Sequence, residues 1–542
     1  MIVRKTRIGL IAILLTGVAY ADISKISPDL QSALATPGQS VNVIVQYSSS
    51  TPSSCGGAGL LSAVVCLPVN LLGGVVKTVF TLLNAVTATL PAGNLLALSD
   101  QPNVSYISPD RHVVTMTDLT VPTTNAPVAW SSGWNGAGIG VAVIDSGIYA
   151  HPDLNGRVVY RQSFVGGTLT DDFGHGTHVA GILAGTNGVA TQANLLDLRV
   201  LDISGVSNDS AVIAAIQTAV SLKSKYNVRV INLSLGRPIY ETCNLDPLCL
   251  AVEQAYANGI VVVAAAGNLG RNGYSTVLSP GNSPHAITVG AMKDMGTPTR
   301  SDDLIASYSS RGPTYIDQTV KPDLVAPGNL VVSCLAPGST LVNTYPANIV
   351  APNHFILSGT SMATPAVSAA AAILIEKDPT LTPDSVKARL MKTASKTFPV
   401  SSTATDPSTG KTYTDEYDVF TIGAGYLDIS AAIGNYDTTS RSSASPGSSY
   451  NPWNQQGSFV FLPREVWGST AAWAPSLIWG PAQVTGGGTT LWNASNVWAS
   501  NVTWGSNVTW GSNVTWGSNV TWGSNVAWGS NVTWGASGIG EQ

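Results

Sequence analysis

A doubly wound, mostly parallel α/β sheet with helices on both faces is the fold class this chain predicts, with a small α+β domain ahead of it and a repetitive tail, β or disordered, behind. Strand-like and helix-like patterns alternate from residue 138 to residue 289, and such alternation builds parallel sheets. The strand candidates are unbroken apolar runs such as Gly138-Ile139-Gly140-Val141-Ala142-Val143-Ile144, the pattern of strands covered on both faces. Polar and glycine residues gather where the runs end, at Asp145, at Ser234-Leu235-Gly236 and at Gly267-Asn268. Ligands of open α/β sheets collect beyond those carboxyl ends.

From the N-terminus, Arg4, Lys5 and Arg7 precede an apolar run from Ile8 to Val18, and Ala19-Tyr20-Ala21 follows. This is the pattern of a secretory signal peptide over 1–21, cleaved before Asp22, and it implies an extracellular protein. The run is too short to span about 30 Å of hydrocarbon. Residues 22–117 read as a distinct small domain. Val41 to Tyr47 alternates like a half-buried strand, Val75 to Leu90 has helical spacing, and Val104 to Ser108 reads as a second strand. The apolar insertion from Cys55 to Gly74 is broken by Pro68, Asn70, Gly73 and Gly74, so a hairpin on that domain is expected rather than a membrane segment.

Residues 118–437 carry the α/β pattern. Strands are expected at Gly138–Ile144, Leu195–Leu201, Val228–Leu233, Ile260–Ala265 and Ala286–Val289. A helix beginning near His175 runs to Ala184, and another spans Leu248 to Ala257. Between them, Asp209 to Lys223 sets Val212, Ile213, Ile216, Ala219 and Val220 on one side of a helix. Gly359-Thr360-Ser361-Met362-Ala363-Thr364-Pro365 reads as a hinge entering an alanine-rich helix, with Pro365 tolerated in the first turn. Thr438 to Pro452, rich in Ser and Thr, reads as a linker, and 453–542 as a tail. The length of 542 residues exceeds one core and fits two or three domains. With 11% charged residues and a net charge of -5, nothing suggests a nucleic-acid partner, which would want a basic face.

Ser361 at a helix start is where unpaired N–H groups favour negative charge. A serine hydroxyl is a weak nucleophile without a base, and the chain supplies one. His175 lies in Gly174-His175-Gly176-Thr177-His178-Val179-Ala180-Gly181, and Asp145 in Val143-Ile144-Asp145-Ser146-Gly147. In that order the three blocks resemble the signatures of the subtilisin-like serine proteases. The resemblance covers roughly 120–436 and implies Asp145, His175 and Ser361 as catalytic residues. It also implies Asn268 as the oxyanion-hole side chain, Ser234, Leu235 and Gly236 as the strand pairing with substrate, and Ala265, Ala266 and Gly267 as a pocket wall. His178 is expected to pack beneath the site. Residues 22–117 are similar to the family's inhibitory propeptides, which implies self-cleavage between Val113 and Val121.

The implied activity is a secreted endopeptidase acting on proteins and peptides, with no cofactor required for the chemistry. The family's calcium loop interrupts the helix after the catalytic histidine. Here 181–194 is short and lacks it, so structural calcium is left unsupported and no metal ligands are assigned. Asp171 and Asp172 read as a solvated approach to the His175 helix. After export Cys243 and Cys249 are able to pair, as are Cys55 and Cys66, leaving Cys334 as a buried thiol. From Trp492 to Trp534 a tryptophan recurs every sixth residue in a Trp-Gly-Ser-Asn-Val-Thr unit. An aromatic stripe of that kind is costly to leave in water. It is expected to stack on itself, dock on the protease, or meet a cell-surface or polysaccharide ligand, and to be dispensable for hydrolysis. Two other readings compete: an adhesive protein on an inactive protease scaffold, and a peptidase of the related Ser-Glu-Asp type. The intact set of Asp145, His175, Ser361 and Asn268 speaks against the first, and the complete His-Gly-Thr-His block with Asn268 against the second.

Overall fold

The computed structural model describes residues 22–48, 69–80, 85–109, 119–350, 353–406, 409–451, 456–467, 469–479, 490–493 and 532–534. The expected leader, the Cys55–Cys66 pair and most of the expected self-cleavage segment lie outside the described residues. The chain divides into two compact units, 1–115 and 116–542.

In the first unit β1 (Ser40–Tyr47), β2 (Val75–Phe80), β3 (Ala85–Pro91) and β4 (Val104–Pro109) form an antiparallel sheet in the order β2-β3-β1-β4. Val43 and Val45 of β1 are fully buried, as the alternation requires. The helical spacing over Val75 to Leu90 misleads: that stretch supplies two antiparallel strands. Its valines and threonines are β-branched, stiff at χ1 and suited to a pleated surface, and this outweighs an apolar period shared by both structures.

The second unit is built on a sheet ordered β6-β7-β5-β9-β11-β12, its strands mutually parallel. They are β5 (Gly140–Asp145), β6 (Val158–Ser163), β7 (Asn194–Arg199), β9 (Val228–Leu233), β11 (Val261–Ala265) and β12 (Ile287–Lys293). Short β13 (Leu304–Ile305) pairs with β12 antiparallel and β14 (Leu324–Pro327) pairs with it parallel. Val141 and Val143 face a core with the His175–Ala184 and Thr360–Lys377 helices, while Ala142 and Ile144 face the Asp209–Ser221 and Pro247–Ala257 helices. Both faces being covered, each strand reads as a continuous apolar run. From β5 the chain passes to the β6–β7 side, and from β9 to the β11 side, so the sheet's switch point lies between β5 and β9.

Two hairpins, β15 (Val331–Cys334) with β16 (His354–Leu357) and β17 (Ser401–Thr405) with β18 (Thr412–Glu416), flank this sheet. Beyond residue 437 the chain stays on the same unit. Ser443 and Ser445 are buried and bonded to Asp384 and Asp323. Next, β19 (Gly447–Asn451), β20 (Gln456–Val460) and β21 (Thr490–Asn493) form a sheet. Phe459, Trp467, Trp473 and Trp479 pack with Val320, Ala388, Met391, Val419 and Phe420 in a core of their own. Finally β22 (Val532–Trp534) lies between β8 (Val206–Ser207) and β10 (Leu235–Gly236), antiparallel to both. Among the described residues no helix is long and apolar enough to cross a membrane.

Candidate active site

The switch point collects the candidate residues. Asp145 ends β5, and its Oδ1 lies 2.7 Å from Nδ1 of His175, the first residue of its helix. Both side chains are buried. The same Oδ1 accepts the Ser146 N–H at 2.8 Å, which fixes the carboxylate's plane. Close approach of the helix to the β5 end depends on Gly176, where a Cβ would run into the Gly147 carbonyl oxygen. Asp171 is not a solvated residue: it is 3% exposed, and burial pushes its pKa up. Its carboxylate accepts from Ser146 Oγ, the Gly174 and Thr177 N–H groups and Thr177 Oγ1. It thereby satisfies N–H groups at the start of the His175 helix and ties them to the β5 loop. Only Asp172 sits toward solvent, paired with Arg199 at 2.8 Å.

Ser361 is the second residue of its helix. Its Oγ donates to the Ser234 carbonyl at 2.9 Å, and Ser234 Oγ donates back to the Ser361 carbonyl at 2.9 Å. Pro365 explains the second bond. It is the sixth helical residue, one turn past Ser361 and not in the first turn, because the helix already starts at Thr360. Proline has no N–H, so the i→i−4 bond to the Ser361 carbonyl is missing and the serine hydroxyl takes its place. Behind Ser234 the chain continues through Asn232 Nδ2 at 3.0 Å and Ser368 Oγ on Asn232 Oδ1 at 2.8 Å. Asn232 is a further positioning residue; its polarity inside the apolar run Val228–Leu233 is the only sequence signal for it.

Asn268 Oδ1 accepts from Thr360 N–H at 2.9 Å and Thr360 Oγ1 at 3.2 Å, so its amide NH₂ is the donor end left for a ligand. Ser361 N–H belongs to the helix's first turn, where N–H groups have no partner within the helix. The backbone of Ala266 pairs with Val289 and Leu278, and that of Gly267 with Ser310 and Thr360 Oγ1. With Ala265 they offer shape, not spare hydrogen bonds. His178 faces away from the cleft. Its Nε2 lies 3.1 Å from the Val331 carbonyl and 2.9 Å from that of Phe355, and burial, then His175, pushes its pKa down to about 3.

A model of the subtilase family matches residues 136–425, more than half of the chain. The chain belongs to the subtilase family. It is 36% identical over 333 residues to serine protease AprX of Bacillus subtilis (strain 168), covering 57% of this chain and 74% of that protein. It is 39% identical over 337 residues to subtilisin E of the same organism, covering 59% and 78%, and 35% identical over 326 residues to the alkaline protease of Alkalihalobacillus alcalophilus, covering 58% and 75%. The chain is a serine endopeptidase of this family, with proteins and peptides as substrates.

For a subtilase metal the 185–193 turn is a poor fit, since it has no carboxylate. Elsewhere His151, Asp153 and Cys334 bring ligand-type atoms together. Both His151 nitrogens are engaged, with the Asn353 carbonyl and the Asp153 N–H, and burial pushes the Cys334 thiol up to about 12. Cys243 and Cys249 are joined in a disulfide.

Proposed function

We propose that this subtilase is a secreted, self-activating endopeptidase in which Ser361 is the nucleophile, His175 the base and Asp145 the orienting acid. The observation that carries the assignment is the buried 2.7 Å Asp145–His175 hydrogen bond at the sheet's switch point. An extended peptide adds as a strand along Ser234 to Gly236, by main-chain hydrogen bonds. When its N–H takes the Ser234 carbonyl, the Ser361 hydroxyl is released toward His175. Oγ attacks the peptide carbonyl, and its proton passes to the imidazole, whose tautomer and charge Asp145 supports. The oxyanion accepts hydrogen bonds from Asn268 Nδ2 and Ser361 N–H. His175 then gives the proton to the leaving amine, and water hydrolyses the acyl-enzyme. Loss of the Asn268 donor is expected to lower turnover by about 10²–10³, a magnitude borrowed from this same family.

Residues 22–117 are proposed as the inhibitory propeptide, removed by self-cleavage after export past a leader at 1–21. A catalytic domain beginning at 118 is also proposed; the expected end at 437 and connector over 438–452 are not kept, because Ser443 and Ser445 are buried on the protease and the tryptophan core follows them. Ser361→Ala and His175→Ala should each remove nearly all peptide hydrolysis while the far-ultraviolet circular dichroism stays unchanged, because triad members act as a unit. Full hydrolysis by purified Ser361→Ala would remove Ser361 from the mechanism. Mass spectrometry of the secreted active enzyme should find a start between Val113 and Val121; an active species beginning at Asp22 contradicts the propeptide.

A further inference from the structure

Two two-residue strands of the protease unit, β8 and β10, are not hydrogen-bonded to each other. Among the described residues the only strand that joins them is β22, from the far end of the repeat tail. Thr533 stands opposite Gly236 on one side and Val206 on the other; Trp534 pairs with Leu235, and Val532 with Ser207. Two-residue edges have almost no stability without a middle strand. The tail supplies it.

We propose that the C-terminal repeat is the intramolecular ligand of the substrate cleft, and that the protein holds itself in a cleft-occupied form after the propeptide has gone. This rests on the reading of Ser234 to Gly236 as the substrate strand. Direction is the first argument. Because β22 is antiparallel to β10, following it toward its carboxyl end leads from Gly236 to Leu235 and so toward Ser234, whose carbonyl holds the Ser361 hydroxyl. A peptide attacked by Ser361 must approach in that sense, since its acyl half is the part N-terminal to the bond that breaks.

Pairing on both sides is the second argument. A middle strand uses main-chain groups of both edges, which are the groups an added peptide needs, so tail and substrate exclude one another. Composition is the third. The triplet Val-Thr-Trp occurs at 502–504, 508–510, 514–516, 520–522 and 532–534, with Val-Ala-Trp at 526–528. Valine, threonine and tryptophan all favour extended backbone. Each copy repeats the β22 sequence with one Thr-to-Ala difference at 527, and a tethered ligand acts at an effective concentration on the order of mM. The repetition then has a physical use: a copy that is clipped or leaves the cleft is replaced by another.

The test compares the self-processed full chain with a form ending at Ala494, which keeps β19 to β21 and the tryptophan core. A chain-length-preserving variant carries Thr503→Pro, Thr509→Pro, Thr515→Pro, Thr521→Pro, Ala527→Pro and Thr533→Pro, removing the middle N–H of every triplet. Both altered forms should show a KM for a chromogenic tetrapeptide about tenfold or more below that of the full chain. The synthetic peptide Ser-Asn-Val-Thr-Trp-Gly should inhibit them competitively and inhibit the full chain far less. Occupancy is also read without catalysis: in a Ser361→Ala background freed of residues 22–117 by an added protease at an inserted cleavage site, the fluorescein-labelled peptide should bind the Ala494-terminated form and be excluded from the full chain. Equal KM values in all three forms, or equal peptide binding with and without the tail, overturn the proposal. Absence of hydrolysis in every form, with the binding difference intact, would instead count against the catalytic assignment and leave the cleft ligand standing.

Discussion

Two buried histidines three residues apart meet different partners. His175 reaches a carboxylate; His178 reaches two peptide carbonyls, which favour its proton, but burial outweighs them and holds the ring neutral. The unfolded imidazole of His178 takes a proton near 6.5, whereas the folded one resists it down to about 3. Its contribution to stability is therefore complete above 6.5 and is lost as pH falls from 6.5 toward 3, at up to about 1.4 kcal/mol per pH unit. Asp197, which burial lifts to about 7, acts in the opposite sense, so the whole protein's curve mixes the two. Comparing urea unfolding of wild type and His178→Gln isolates the histidine: the variant's acid-side slope should be shallower by roughly one proton. Parallel slopes contradict the buried neutral imidazole. The Asp-Ser-Gly, His-Gly-Thr-His and Gly-Thr-Ser-Met blocks made the candidate triad legible in the sequence, since chemistry confines those residue types. Asn232 and Asp171 were not legible, because a polar residue's burial depends on neighbours distant in the chain.

At the scale of elements, the Ser361 helix shows how a local defect positions a reactive group. Pro365 strips the Ser361 carbonyl of its helical partner, and Ser234 Oγ occupies it. Pro365→Ala restores an N–H at that position, so the carbonyl should return to the helix and release Ser234. Misplacement of the nucleophile should then lower kcat by about tenfold with little change in KM, measured by steady-state hydrolysis. An unchanged kcat would show that the Ser234 bond does not set the position of Ser361. The parallel strands were legible because burial on both faces leaves no polar alternation to confuse them. Over Val75 to Leu90 the apolar spacing fits a helix and a hairpin alike, and only pairing with β1 decides for strands.

For the molecule as a whole, the stretch after residue 437 divides by what it touches. Trp467, Trp473 and Trp479 are nearly fully buried beside Phe420 and Met391. Each such side chain removes on the order of 150–250 Å² from water, about 4–6 kcal/mol apiece as an upper bound. Three of them rival the roughly 5–15 kcal/mol that holds a typical domain together. Truncation after Asp437 should therefore abolish or sharply destabilise the protease, whereas truncation after Ala494 should leave Tm nearly unchanged by calorimetry. Equal melting of the two forms would mean the tryptophan core is an ornament of the fold. That division was hidden in the sequence, where the tryptophans at 467, 473 and 479 have the same six-residue spacing as the repeat, though out of phase with it, and serve a different surface.

The most direct measurement of the central claim is covalent labelling of the secreted enzyme with a serine-directed fluorophosphonate, followed by peptide mapping. The reagent needs an activated serine beside oxyanion donors and is indifferent to substrate preference. One label per active molecule, on the peptide containing Ser361, absent from Ser361→Ala and strongly slowed in His175→Ala, is the predicted result. A label elsewhere, or undiminished labelling of Ser361→Ala, would contradict it.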